Sequence, residues 1–154
     1  MLCHAESAEP PASGPVGNVF DKYHSRNPFV RSLMRNFLQS VTDLTVSAAP
    51  INVLEVGCGE GYLSDHLLRS VPTIQSLEAC DLSLDRVPFD LKSRINFRIG
   101  SAYELPYESR SFDLVVCCEV LEHLSEPRRA LAELCRVTRR FVLLSTPREP
   151  LWRI

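Results

Sequence analysis

Apolar residues recur every three or four positions behind Asn27-Pro28: Phe29, Val30, Leu33, Met34, Phe37, Leu38, Val41 and Leu44 fall on one face of a helix. Asparagine can cap a first turn and proline is tolerated within it, so the helix opens at that pair. From Pro50 the period changes. INVLEV (51–56) predicts a short strand, GCGEG (57–61) a turn, and YLSDHLLRS (62–70) a helix that must stop near Pro72. IQSLEACD (74–81) predicts a second strand, and Pro88 limits LSLDRVPFDLKSR to a short helical turn. INFRIG (95–100) alternates as a strand does, while FDLVVCCEV (112–120) is almost wholly apolar, as in a strand covered on both faces. Pro127 to about Thr138 predicts a helix with Leu131, Leu134 and Cys135 inward, and FVLLST (141–146) a fifth strand.

Strands alternating with helices require parallel pairing through right-handed crossovers, hence an α/β fold on a doubly wound sheet. The 154 residues suit one domain. Residues 1–17, rich in Pro, Ala, Ser and Gly, predict a disordered tail; 18–48 form an N-terminal helical segment and 49–154 the ligand-binding domain. A hydrophobic content of 45% with 23% charged residues is ordinary for a soluble globular chain. The net charge of −2 offers no basic footprint, so no nucleic-acid partner is expected. No apolar run nears the ~20 residues of a membrane span, and the N-terminus lacks the features of a secretory signal. A cytoplasmic protein is expected. Six cysteines include no CxxC pair, and Cys117 and Cys118 would face opposite sides of a strand, so reduced thiols are expected rather than disulfides or a metal site. His123 beside Glu122 lacks the second histidine of a metal motif and reads as a helix-end pair.

The chemistry concentrates at VLEVGCGEGYL (53–63). Ligands in such sheets bind beyond the carboxyl ends of the strands, where the strand order reverses, and the GCGEG turn lies there if INVLEV is central. A dinucleotide fingerprint starting at Gly57 and Gly59 would put its third glycine at position 62, which is Tyr62; the glycine here is Gly61. Glu55 would also repel a pyrophosphate but attract an ammonium group. Read alone, Glu55 could instead be a structural acid at the amino end of the next helix, and Asp81 a turn cap.

E-x-G-x-G-x-G after a first strand resembles the first motif of the class I S-adenosylmethionine-dependent methyltransferases. ACDLS around Asp81 resembles their second motif, GSAYELPY (100–107) their adenine-side segment, and SFDLVVCCEVLEHL (111–124) the fourth strand of the ubiquinone and menaquinone methyltransferase branch. The likeness covers about residues 50 to 146, with four motifs in order. It implies a Rossmann-like sheet of order 3-2-1-4-5 and S-adenosylmethionine as cofactor. Glu55 would hold the methionine ammonium, Gly57, Cys58, Gly59 and Gly61 the turn, and Asp81 the ribose hydroxyls, one per carboxylate oxygen. Leu82 would pack on adenine, Ser101 and Ala102 would touch its edge, and Glu119 would lie near the methionine tail or the methyl. Ser101 stands where the family usually has aspartate, which weakens the adenine contact. In related enzymes an N-terminal helix closes over the cofactor, and Tyr23 and Arg26 are placed to line such a lid.

Because the sulfonium methyl is itself reactive, no catalytic side chain is assigned. CCEVLEHL replaces the N-P-P-[YF] segment common in N-methyltransferases, favouring a small-molecule oxygen or carbon acceptor. The family's sheet has seven strands, whereas STPREPLWRI follows directly on the fifth strand here. The expectation is a C-terminally short domain lacking the last two strands, whose FVLL edge is open to self-association. Three rivals stand beside this reading: a non-catalytic cofactor-binding module, a fragment that binds nothing, and a nicotinamide-dependent dehydrogenase.

Overall fold

A computed structural model describes residues 26–146; the expected tail, Tyr23 and the last eight residues lie outside that range. Helix α1 (Pro28–Ala48) opens at the predicted cap, where Asn27 Oδ1 accepts the Phe29 amide at 2.9 Å. It runs four residues beyond Leu44 and stops at Ala49, whose backbone turns left-handed (φ 45°) and donates to Thr45 and Val46. The buried stripe differs from the predicted one. Val41 and Thr45 are buried, whereas Leu44 is 60% and Phe29 75% exposed. Thr45 can replace an apolar residue because its hydroxyl donates to the Val41 carbonyl one turn back, at 2.8 Å.

Five parallel strands, β1 (Asn52–Val56), β2 (Ser76–Asp81), β3 (Asn96–Ile99), β4 (Phe112–Cys118) and β5 (Thr138–Ser145), form a sheet of order β3-β2-β1-β4-β5. The predicted topology is the observed one. Helices α2 (Tyr62–Ser70), α3 (Phe89–Lys92) and α4 (Pro127–Val137) complete the crossovers. One face buries Val53, Leu77, Ala79, Leu114 and Val116 with Leu63 and Leu67 of α2. The other buries Leu54, Val56, Cys80, Val115 and Cys117 against Leu134 and Val137 of α4. Burial on both faces is why β1 and β4 read as continuous apolar runs. Thr42 Oγ1 and His66 Nε2, 2.9 Å apart, join α1 to α2, and burial pulls the imidazole below its ordinary range.

Several boundaries shift. Helix α4 buries Ala130, Leu134 and Val137, so Cys135 is exposed rather than inward. Its stripe is rotated from the predicted one because Val137, not Cys135, completes the contact with the sheet. β5 starts at Thr138, three residues before the predicted strand, and β4 stops at Cys118 because Glu119 has φ 59°. A single 3-10 turn over Leu121–His123 was not legible as an element. All described cysteines are free; Cys117 and Cys118 pack on opposite sheet faces, as strand alternation requires.

At the amino ends of the strands, Asp113 is 6% exposed. Its Oδ2 accepts the Ile51 and Asn52 amides at 2.9 Å each, and its Oδ1 accepts Arg139 Nε at 2.7 Å. The Arg139 hydrogen bond, followed by those two amides, holds the carboxyl down at about 2 against the opposing effect of burial.

Candidate functional site

At the carboxyl ends of β1 and β2 the chain must turn sharply into α2. The amides of Gly57 and Cys58 both donate to the Cys80 carbonyl, at 2.8 and 3.2 Å, and Gly61 N–H donates to Cys58 O at 2.8 Å. These bonds stitch the GCGEG turn onto the tip of β2. Gly57, Gly59 and Gly61 all have positive φ, at 79°, 54° and 80°. Their surroundings differ. A Cβ on Gly57 would run into Val120, and one on Gly61 would stand 2.8 Å from the Phe97 ring. A Cβ on Gly59 would meet nothing within 4 Å. The middle of the turn therefore faces open space, while its two ends are closed by packing. Cys58 is buried within the turn, and burial, with Glu55 and Asp81 nearby, pushes its thiol far up.

Glu55 and Asp81 emerge from the sheet face that carries α2, since both share the strand parity of Val53 and Ala79. Glu55 is 4% exposed, and its Oε2 accepts the hydroxyl of Ser64, which is fully buried in the first turn of α2. Burial, then the charge of Asp81, push its carboxyl up to about 7, with the Ser64 hydrogen bonds opposing. Asp81 is half-buried and pinned by two amides: Gly59 N–H donates to Oδ2 and Leu82 N–H to Oδ1, both at 2.7 Å. Each carboxylate oxygen accepts more than one hydrogen bond, so both keep acceptor capacity. Leu82, 53% exposed, stands beside this carboxylate.

The other predicted residues border the same end of the sheet. Gly100 N–H donates to Asp81 O at 2.9 Å, which brings the 101–102 segment alongside β2. Ser101 Oγ accepts the Tyr103 amide at 3.2 Å and so closes its own loop, while Ala102 packs against the α4-side core. Glu119 lies just past β4, but its Oε1 takes the Ser145 hydroxyl at 2.9 Å, which turns the carboxylate toward β5. His123 and Glu122 form a loose surface pair at 3.9 Å. Among the described residues no cluster of three metal-ligating side chains exists, and no helix is long and apolar enough to cross a membrane.

Two contributors carried little sequence signal. Ser64 sits between Leu63 and Leu67 on the buried face of α2, and a lone hydroxyl on an apolar stripe was its sole marker. Tyr103 accepts the Glu126 amide at 3.1 Å, lies 3.2 Å from Ser125 Oγ, and has Arg129 5.3 Å from its ring centre. It ties the 101–106 loop to the start of α4.

Against known proteins, the methyltransferase domain family model matches residues 54–144. The chain is 37% identical over 99 residues to an uncharacterized methyltransferase of Schizosaccharomyces pombe, covering 56% of this chain and 36% of that protein. It is 33% identical over 130 residues to the mitochondrial ubiquinone biosynthesis O-methyltransferase of Arabidopsis thaliana, covering 76% and 38% respectively. Proteins named as ajmaline and norajmaline N-methyltransferases of Rauvolfia serpentina match at 29% and 30% identity. Among solved structures, a Pyrococcus horikoshii protein superposes with TM-score 0.64 at 23% identity, over 79% of this chain and 59% of that one. The chain spans well under half the length of these curated relatives. With the sheet order, the glycine turn and the two strand-tip acids on the page, the family match settles the membership: this chain belongs to the methyltransferase domain family of class I S-adenosylmethionine-dependent methyltransferases.

Proposed function

We propose that the chain binds S-adenosylmethionine across the tips of β1 and β2 and serves methyl transfer to a small-molecule acceptor. The observation that carries this is the pair of carboxylates, Glu55 and Asp81, flanking the open centre of the glycine turn. The residues fit the group. Glu55 offers an anion to an ammonium, Asp81 offers acceptors to two vicinal hydroxyls, and Leu82 offers an exposed apolar surface to a base. A diphosphate would instead meet two carboxylates, and the cation beside the turn, Arg86, is already 3.4 Å from Glu60 Oε1. That disfavours a nicotinamide dehydrogenase.

When bound, the cofactor supplies an electrophilic methyl whose leaving thioether is neutral, so the chain's work is alignment and exclusion of water. Glu55 and Asp81 fix the two polar ends of the ligand, and Gly59 lets it approach the backbone. Ser101 and Ala102 border the base, while the turn of Glu119 toward Ser145 leaves that carboxylate a supporting role at the β4 tip. The acceptor is an oxygen or carbon nucleophile on this reading, supported by the O-methyltransferase relative and by CCEVLEHL in place of N-P-P-[YF]. The N-methyltransferase relatives make an amine the competing outcome.

Calorimetric titration tests the cofactor site. Asp81→Ala should lower the affinity for S-adenosylmethionine about 10- to 100-fold, the scale of losing hydrogen bonds to a charged acceptor. Equal affinities would remove the ribose assignment, and binding of NADH in place of S-adenosylmethionine would replace the reading altogether. Turnover of a labelled methyl onto a phenol panel but not an amine panel would support the oxygen acceptor.

A further inference from the structure

Glu55 is a buried acid whose carboxylate is held by one residue of the next helix, Ser64. Oε2 takes the Ser64 hydroxyl, and the Ser64 amide also donates to the carboxylate. Ser64 has no solvent exposure and belongs to the first turn of α2, whose start is fixed by Gly61 against the Phe97 ring. The hydroxyl is thus held by packing rather than by choice of rotamer in water. Its single proton is spent on Glu55.

We infer that Ser64 is a positioning residue for the cofactor's ammonium: its buried hydroxyl, donated to the Glu55 carboxylate, fixes the orientation in which that carboxylate meets the amino group. This rests on the proposed binding of S-adenosylmethionine. The groups that act on or are acted on by Glu55 are Asp81 at the β2 tip, Cys58 in the turn, Cys80 on β2, and Cys117 and Cys118 on β4. The thiols of Cys80, Cys117 and Cys118 are pushed up to about 12 by burial and stay neutral near pH 7, so Asp81 is the one charged neighbour in this set. An acid in such surroundings is protonated below about 7 and charged above it. An ammonium is gripped by the charged form alone, so cofactor affinity rises with pH through that range and binding releases a proton. Ser64 shifts this balance because its hydroxyl donates to the charged form.

The test compares S-adenosylhomocysteine, which carries the amino acid tail, with 5′-methylthioadenosine, which keeps the nucleoside and lacks the tail. Affinities are measured by calorimetry between pH 5.5 and 8 for wild type and Ser64→Ala. The expected result is a roughly tenfold loss for S-adenosylhomocysteine at pH 7, an upward move of its pH midpoint, and unchanged binding of 5′-methylthioadenosine. Equal losses on both nucleosides would mark Ser64 as merely structural and overturn the inference, as would an unmoved affinity and midpoint. A wild-type chain that binds neither nucleoside would sink the cofactor reading itself, and the inference with it.

Discussion

If Glu55 holds the ligand as proposed, stability and binding make opposite demands on this single side chain. Its carboxyl rises from 4.5 to about 7 on folding, so the folded chain binds the extra proton in between. The stabilising contribution is therefore fully present below about pH 4.5 and is lost as pH rises through about 7. Glu55→Gln, a neutral mimic, should make the ligand-free chain more stable than wild type at pH 8, by about 2 kcal/mol in urea titrations. The two should converge near pH 5. The same variant should bind S-adenosylmethionine weakly, having lost the anion. A variant that gains no stability at pH 8 would show that the buried carboxylate costs the fold nothing. The acids at the strand tips were legible through the family motifs around them, E-x-G-x-G-x-G and ACDLS, since hydropathy alone left each a structural reading. Ser64 was not, since its partner lies on another element and hydropathy alone cannot show who receives its proton. Thr45 escaped notice for a related reason: a hydroxyl that bonds its own helix passes as apolar in three dimensions but not in a sequence.

Among the elements, the glycine turn is the most constrained. Gly61 combines φ 80° with the Phe97 ring 2.8 Å from where a Cβ would stand. Gly61→Ala should cost about 1–3 kcal/mol of stability, the range for a left-handed backbone penalty with added crowding. Urea denaturation would read it directly, and a neutral result would mean that Phe97 simply moves aside. The parallel α/β class was legible because helix-period and strand-period stretches alternate from Pro50 onward, whereas the strand order was implied by the resemblance of the four motifs. The ends of elements were less so. β4 stops at Cys118 because of a backbone conformation at Glu119, and nothing in the residue type announces it. The side of α4 that faces the sheet was misjudged at one residue for a similar cause: Cys135 and Val137 are both apolar, and the packing of Val137 decides.

Across the whole molecule, the two ends of the sheet respond to pH in opposite senses. At the amino end, Asp113 is held at about 2 against an ordinary 3.8. Its contribution is present above the ordinary value and is lost as pH falls through about 2. Asp113→Asn should destabilise the chain at pH 7 by about 1–2 kcal/mol, and the gap should close as the medium approaches pH 2. Chemical denaturation at the two pH values measures it; a gap that persists in acid would assign the loss to geometry rather than charge. The wild-type, ligand-free chain is accordingly expected to be sturdiest in mildly acidic solution. The cofactor binding proposed at the carboxyl end would instead be favoured by higher pH.

The Asp113 knot also sits a full strand length from the glycine turn, roughly 16 Å for the five residues of β1. Foundation and mouth can thus be altered separately. Hardening the chain by reworking Ile51, Asn52, Asp113 and Arg139 should leave recognition of the nucleoside as it was, giving protein engineers a place to add robustness without touching the chemistry.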